Sequence, residues 1–156
     1  CGTCPINYKC DVVGTCIYTC VLSGTKISMA DGSLKDIETV EIGDLVKSYD
    51  IVNNKIVNNK VTETYHHKAE ETPGYLVVNG FLRITPNHVI WLNGYWQAIG
   101  KAKIGDIIKT GSGEAIITSI VKFDETVPTY NIEVENTHTY YADDILVHNI
   151  KLRLPE

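Results

Sequence analysis

The sequence predicts an all-β fold, and three observations support this prediction. Short segments of alternating or continuous apolar residues recur along the chain, separated by Asn-Asn, Asn-Gly and Gly-Ser-Gly turns. No segment of about 12 residues or more has a strong period of 3.6, so only short helical turns are expected. A pattern of eleven residues at 37–47 returns at 99–109. Together these features indicate two related halves built from strands.

The strands are justified in order along the chain. Residues 25–29 alternate and are followed by Asp31-Gly32, a signal for a tight hairpin. Each copy of the repeat contains Ile-Gly-Asp, two aliphatic residues and Lys, with a glycine suited to a turn into a strand. We expect the copies to pack about a pseudo-twofold axis that brings the active ends together; coincidence in a β-rich sequence is the alternative. The further strands are expected at 45–49, 55–65, 75–78, 81–84, 88–92, 96–99, 107–110, 115–123, 129–134, 140–142 and 145–147.

Composition excludes several classes of function. The chain has 156 residues, 44% of them apolar and 21% charged, which suits one globular domain with a buried core. A net charge of −5 gives no sign of the positively charged surface that binds nucleic acid. No apolar run approaches the about 18 residues of a membrane span. The chain begins with Cys1 and has no signal-peptide pattern, so we expect a fragment of a longer protein that shares the location of its host.

All five cysteines lie at positions 1, 4, 10, 16 and 20, and the remaining sequence has none. This asymmetry separates a Cys-rich flank at 1–19 from a body at 20–149, with a second flank at 150–156. The flank cysteines could be reduced, disulfide-bonded or metal-bound. Their spacing lacks the second close pair that is usual in zinc sites, so no metal is expected. A disulfide between Cys16 and Cys20 would remove the Cys20 nucleophile, which suggests redox control as a hypothesis.

Two residues at the ends of the body can attack peptide bonds of their own chain. The Cys20 thiol can attack the carbonyl of Thr19 and move the acyl group from nitrogen to sulfur. The Asn149 side-chain amide can attack its own carbonyl and cleave the bond to Ile150, leaving a succinimide. A single cysteine or a single His-Asn pair is more often structural. The case therefore depends on both ends occurring together.

Three histidines can assist these reactions. His88, at the end of a Thr85-Pro86-Asn87-His88 turn, can protonate the departing nitrogen of Cys20, while Thr85 orients it or polarises the bond. His148 can stabilise the Asn149 carbonyl oxygen or protonate the leaving nitrogen, and His138 can assist the side-chain amide.

In these motifs the chain resembles inteins and, more broadly, the Hint superfamily that includes Hedgehog autoprocessing domains. The resemblance covers residues 20–149 and implies a horseshoe of long, bent antiparallel strands with pseudo-twofold symmetry. It also implies an N–S acyl shift at the Thr19–Cys20 bond, assisted by Thr85 and His88. Cyclisation of Asn149 is implied at the other end, assisted by His138 and His148. Nothing between 88 and 130 could house a homing endonuclease, as in a mini-intein. The matching segments are 20–27 (Cys-Val-Leu-Ser-Gly-Thr-Lys-Ile), 42–46 (Ile-Gly-Asp-Leu-Val), 80–90 (Gly-Phe-Leu-Arg-Ile-Thr-Pro-Asn-His-Val-Ile), 130–134 (Tyr-Asn-Ile-Glu-Val), His138 and 145–149 (Ile-Leu-Val-His-Asn).

The chain departs from the usual intein pattern at two positions. Asn131 stands where many inteins carry Asp, and an amide can hydrogen-bond but cannot act as a general base. Ile150 stands where the family has Cys, Ser or Thr, so the usual acceptor of the acyl group is missing. We expect single-turnover cleavage at each end, as in bacterial intein-like domains, in a monomer that acts in cis without a cofactor. The alternatives are a splicing intein trapped by an engineered change at Ile150, an inactive Hint-fold structural or interaction module, and a metal-binding host fragment carrying the β domain as a passenger.

Overall fold

The computed structural model describes residues 8–10, 16–69 and 74–149, with side chains described from Thr19 onward. Strands dominate it, which confirms the all-β prediction. Complete single turns of 3-10 helix lie at Ile37–Thr39 and Ile99–Lys101. The strands described are β1 (Tyr8–Cys10), β2 (Cys16–Tyr18), β3 (Val21–Leu22), β4 (Lys26–Ser28), β5 (Leu34–Asp36), β6 (Leu45–Asp50), β7 (Lys55–His67), β8 (Tyr75–Val78), β9 (Leu82–Ile84), β10 (Val89–Leu92), β11 (Tyr95–Ala98), β12 (Ile107–Thr110), β13 (Gly113–Ile116), β14 (Ile120–Phe123), β15 (Thr129–Val134), β16 (Thr139–Ala142) and β17 (Ile145–His148).

The strands of the body form two antiparallel sheets within the described residues. The first follows the order β11-β10-β12-β17-β16-β4-β5, with β13 paired to β12. The second follows the order β14-β8-β9-β3-β15-β7-β6. Together they form the curled antiparallel half-barrel that the horseshoe prediction implies. In these orders β3 lies beside β15, and β17 lies beside β10 and β16, so both ends of the body are built into sheets.

The core is made mainly of Ile, Val and Leu side chains, which suit the half-buried faces of pleated strands. It runs through both sheets, from Val21 in β3 to Val147 in β17. A smaller aromatic cluster of Tyr49, Tyr141 and Leu146 packs with the partly buried Trp91 and Trp96. Both terminal strands of the body are thus anchored by apolar burial, the main stabilising term in folding.

The sequence repeat corresponds to two copies of one turn, as predicted. Each copy begins with a 3-10 turn and reaches a glycine with positive φ, 94° at Gly43 and 97° at Gly105. The Gly43 N–H donates to the Val61 carbonyl at 2.8 Å, and the Gly105 N–H donates to the Ile117 carbonyl at 2.8 Å. Only glycine adopts this φ at low cost, so the Ile-Gly-Asp pattern reflects backbone geometry.

The hairpins before these turns are also equivalent. Residues of β4 pair with β5 as those of β10 pair with β11, and the Asp31-Gly32 hairpin predicted between β4 and β5 is present. A bridge joins Met29 to Val46 in one half, and Leu92 pairs with Ile108 in the other. The pseudo-twofold relation is therefore present in both the turns and the strand pairing.

Two predictions about strands need correction. The single strand expected at 115–123 is two strands, β13 and β14, which belong to different sheets. Between them the chain crosses from one sheet to the other, and the Asn79 side chain accepts the Thr118 N–H at 2.7 Å there. The segment is apolar on both sides of Thr118-Ser119, and this pattern does not distinguish one long strand from two that change sheets. The sequence predicts no strand in the flank at 1–19, but the flank contains the paired strands β1 and β2.

No helix among the described residues has the length and apolar character required to cross a membrane.

Candidate active site

The Cys20 backbone is held on both sides by Thr85. The Cys20 N–H donates to the Thr85 hydroxyl oxygen at 2.9 Å. The Cys20 carbonyl accepts the Thr85 N–H at 2.9 Å and the Thr85 hydroxyl at 3.2 Å. Thr85 lies directly after β9, which pairs with β3, so the sheet itself brings position 85 to the nitrogen that would depart in an acyl shift.

The Cys20 thiol is fully buried and forms no disulfide with the described residues. Burial raises its pKa to about 12, although a hydrogen bond with the Thr129 side chain lowers the pKa in part. The thiol is therefore protonated at neutral pH. Since the thiolate is the nucleophile, Cys20 needs a base close by.

His88 is a neutral, fully buried imidazole. Burial lowers its pKa to about 4. The Cys20 backbone raises the pKa in part, and His148 lowers it further. Neither ring nitrogen has a hydrogen bond of good geometry in the described part of the chain, although the Cys20 backbone is close enough to raise the pKa in part. A buried polar atom without a partner costs stability, so it commonly marks a functional group. Beside the Cys20 backbone, this imidazole is available to accept a proton.

Asn131, at the middle of β15, contacts both ends of the body. Its side-chain Nδ2 donates to the Thr19 carbonyl oxygen at 2.6 Å and to the Asn149 Oδ1 at 3.2 Å. Its Oδ1 accepts the Ile132 N–H at 2.8 Å and the Tyr140 hydroxyl at 2.7 Å. The Ile132 N–H can only donate, so it fixes Oδ1 on its own side and directs Nδ2 to the Thr19 carbonyl.

Asn149 is buried directly after β17, with every side-chain polar atom in contact. Its backbone N–H donates to the His138 carbonyl at 2.7 Å. Its Nδ2 donates to the Ile132 carbonyl at 2.8 Å and lies 3.4 Å from the Glu133 Oε2. The amide that would attack is thus fixed by neighbours rather than exposed to solvent.

The two remaining predicted histidines flank Asn149. His138 has φ 56° and its Nδ1 pairs with the Glu133 Oε1. His148 packs edge-on against Trp96, and its ring centroid lies 6.4 Å from that of His138. Burial lowers the pKa of His148 to about 4, and His138 lowers it further. A hydrogen bond with the Asn149 backbone raises the pKa in part. His148 is therefore uncharged at neutral pH.

One face of β15 supplies three of the contacts. Thr129, Asn131 and Glu133 alternate along the strand, so their side chains share a face. They contact the Cys20 thiol, the Thr19 carbonyl and the Asn149 amide respectively. Thr129, Glu133 and Tyr140 did not emerge as candidates from the sequence. The available signal was the period-two placement of polar residues in an otherwise buried strand.

The structure thus places the predicted residues Cys20, Thr85, His88, Asn131, His138, His148 and Asn149 in one region, linked through β15 and its neighbours. Ile150, Cys1 and Cys4 lie outside the described residues, as do the side chains of Cys10 and Cys16. The Cys16–Cys20 disulfide therefore stays a hypothesis. The described side chains contain no group of three His, Cys, Asp or Glu residues that could hold a metal ion.

Comparison with known proteins gives one family and several similar folds. A family model described as the pretoxin HINT domain matches residues 26–150. No curated protein matches the chain. The solution structure of a bacterial intein-like domain from Clostridium thermocellum is similar, with a TM-score of 0.73, 27% identity, and coverage of 83% of this chain and 97% of that one. The crystal structure of the gp41-1 intein is similar in fold, with a TM-score of 0.66, 23% identity, and coverage of 83% and 98%. A DnaB intein from Synechocystis has a TM-score of 0.67, 18% identity, and coverage of 82% and 96%.

Proposed function

Because the chain belongs to the pretoxin HINT domain family, we propose that it cleaves its own backbone at Thr19–Cys20 and at Asn149–Ile150, without the usual joining step. The resemblance to the intein and Hint superfamily predicted from the motifs is confirmed, and with it a self-processing fold. In this proposal, residues 20–149 are the catalytic domain, and the segments on either side are the substrates, cut once each in cis by a monomer.

At the N-terminal end, the Cys20 thiol attacks the Thr19 carbonyl carbon. His88 is uncharged at neutral pH, so in the proposal it relays the thiol proton to the Cys20 nitrogen as that nitrogen departs, rather than holding the proton as a stable imidazolium. The bond that forms is sulfur to carbon, and the bond that breaks is the amide. Asn131 donates to the carbonyl oxygen on which negative charge develops, and Thr85 orients the leaving nitrogen. Water or an added thiol then releases the flank.

At the C-terminal end, the Asn149 Nδ2 attacks the Asn149 carbonyl carbon and releases Ile150 with a new amino terminus. His148 is uncharged at neutral pH, so its expected role is to donate a hydrogen bond to the developing oxyanion rather than to deliver a full proton. This favours the first of the two roles considered from the sequence.

Ile150 determines that the products stay separate. Joining requires a nucleophilic side chain after Asn149 to accept the acyl group from Cys20, and an aliphatic side chain cannot do so. The word pretoxin in the family description suits a domain that separates attached segments.

The Asn131 side chain is the observation that supports the proposal most directly. One amide contacts the carbonyl that Cys20 would attack and the side chain that would cleave the other end. Both groups that the proposal requires to react therefore lie within reach of one hydrogen-bond donor.

Mass spectrometry of the purified chain, with and without an added thiol, tests the proposal. We expect a thiol adduct ending at Thr19, and a fragment ending at Asn149 that is lighter by one water than its hydrolysed form. Cys20→Ala should abolish only the first product, and Asn149→Ala only the second. An unchanged mass over days in the wild type would instead identify an inert Hint-fold module.

A further inference from the structure

We propose that Glu133 is the catalytic base for Asn149 cyclisation and that His138 acts through it, an inference that rests on the proposed function. An amide nitrogen is a poor nucleophile because its electron pair is delocalised, so the attacking Nδ2 must lose a proton. The sequence motifs assign assistance at this position to His138. In the structure, Glu133 lies between the histidine and the amide.

The hydrogen-bond network fixes which atom of Asn149 faces the carboxylate. The Ile132 N–H determines the orientation of the Asn131 amide, and the Asn131 Nδ2 then faces the Asn149 Oδ1. The Asn149 Nδ2 must accordingly face the Ile132 carbonyl and the Glu133 Oε2. The carboxylate is therefore beside the reacting nitrogen itself, and the Ile132 carbonyl holds that nitrogen in place.

The surroundings of Glu133 suit a base more than a structural ion pair. The residue is 3% exposed. Burying a carboxylate lowers the stability of the fold unless hydrogen bonds or an ion pair compensate for the lost water contacts. Its two oxygens are divided, one directed to the His138 Nδ1 and the other to the Asn149 Nδ2. A shift in strand register lies immediately after it, between Glu133 and Val134. Such irregularities often re-aim side chains at active sites.

His138 provides a path for the proton to solvent. Its side chain is 45% exposed, whereas that of Glu133 is 4% exposed. His138 also holds the nucleophile in register, because its carbonyl accepts the Asn149 backbone N–H. In the step proposed, the Nδ2–carbon bond forms as the proton passes from Nδ2 to Glu133. The carbon–nitrogen bond to Ile150 breaks, the released nitrogen takes a proton from water, and Glu133 returns its proton to solvent through His138.

Glu133→Gln tests this role because it preserves size and can still accept a hydrogen bond from the Asn149 Nδ2, but it cannot accept a proton. We expect release of residues 150–156 to slow by about 10²–10⁴-fold, the usual contribution of a general base. Thiol-induced release at Thr19 should stay within about twofold of wild type. Glu133→Asp, which retains the carboxylate, should restore part of the C-terminal rate. Glu63→Gln removes the same charge from an exposed position on the paired strand β7 and should change neither rate.

Two results would overturn the assignment in a wild-type chain that cleaves. One is C-terminal release by Glu133→Gln at the wild-type rate, and the other is an equal loss at both ends, which would indicate a role in folding. An NMR titration provides a readout besides cleavage: the Asn149 side-chain amide signals should shift with carboxyl ionisation in wild type and not in Glu133→Gln. Absence of that titration would also refute the contact. A wild type that cleaves at neither end would instead contradict the proposed function.

Discussion

At position 131 the choice between an amide and a carboxylate decides which atoms the side chain can contact. Both atoms facing the Asn131 Nδ2, the Thr19 carbonyl oxygen and the Asn149 Oδ1, are acceptors. An ionised Asp cannot donate to either of them, whereas the amide donates to both. The departure from the intein pattern noted in the sequence therefore suits the network in which it lies.

Asn131→Asp should slow thiol-induced cleavage at Thr19 by about 10²–10³-fold at pH 8, the usual effect of losing an oxyanion donor. Burial beside two acceptors should raise the pKa of the new carboxyl, and its protonated form can donate. The deficit should consequently shrink as the pH falls to 5. Rates of fragment release across this range test the expectation, with Asn136→Asp in an exposed turn as the control. A deficit independent of pH would contradict it.

His88 illustrates a conflict between stability and activity at one residue. Its pKa is lowered from 6.5 to about 4 in the folded protein, so the unfolded chain binds the proton more tightly. The contribution of neutral His88 to the free energy of unfolding is therefore fully present above pH 6.5. It is lost as the pH falls toward 4. This shift corresponds to about 3 kcal/mol. His148 contributes in the same direction.

His88→Leu should raise the free energy of unfolding at pH 7 by about 1–2 kcal/mol, because it removes two unpartnered ring nitrogens from the core. It should also reduce the loss of stability in acid while abolishing thiol-induced release at Thr19. Urea unfolding at pH 7 and pH 4, beside the cleavage assay, measures all three effects. A variant as acid-sensitive as the wild type would show that His88 does not cause the loss.

At the scale of elements, local patterns predicted most of the fold. Alternation and Asn/Gly turns located most strands, and the Ile-Gly-Asp repeat predicted the equivalent turns at Gly43 and Gly105. The crossing between β13 and β14 escaped prediction because Thr118 and Ser119, where the chain changes sheet, also fit a polar interruption within one strand. Glu133 escaped because the meaning of a polar residue in a strand depends on the partner across the fold.

Gly43→Ala and Gly105→Ala should each destabilise the domain by about 1–3 kcal/mol, since Ala is strained at their positive φ. No heavy atom of the described chain lies within 4 Å of the Cβ that either substitution adds, so crowding contributes little. Lys101→Ala, at an exposed position in the 3-10 turn that precedes Gly105, should change stability by less than about 0.5 kcal/mol. Urea unfolding midpoints measure the costs. Clearly unequal costs at the two glycines would argue that the turns are not equivalent.

At the scale of the whole molecule, the fold brings distant parts of the sequence to one place. Thr19 and Asn131 are 112 positions apart, yet the Asn131 amide touches the Thr19 carbonyl. The motifs named the candidate residues at both ends, and the pseudo-twofold prediction placed the ends together. The motifs could not indicate that a single side chain spans the gap, because this depends on the register of β15 against β3 and on the position of β17.

This proximity leads to an expectation for Ile150. If the Thr19 carbonyl and the Asn149 amide share one donor, a nucleophile placed directly after Asn149 should reach the acyl group held by Cys20. Ile150→Cys should therefore yield residues 1–19 joined to residues 150–156, besides the cleaved fragments. Ile150→Ala, which adds no nucleophile, should only cleave. Mass spectrometry of the released peptides distinguishes the joined product from the separate ones. Cleavage by Ile150→Cys with no joined product would show that the ends are arranged for cutting alone, and that the aliphatic residue is not the sole barrier to splicing.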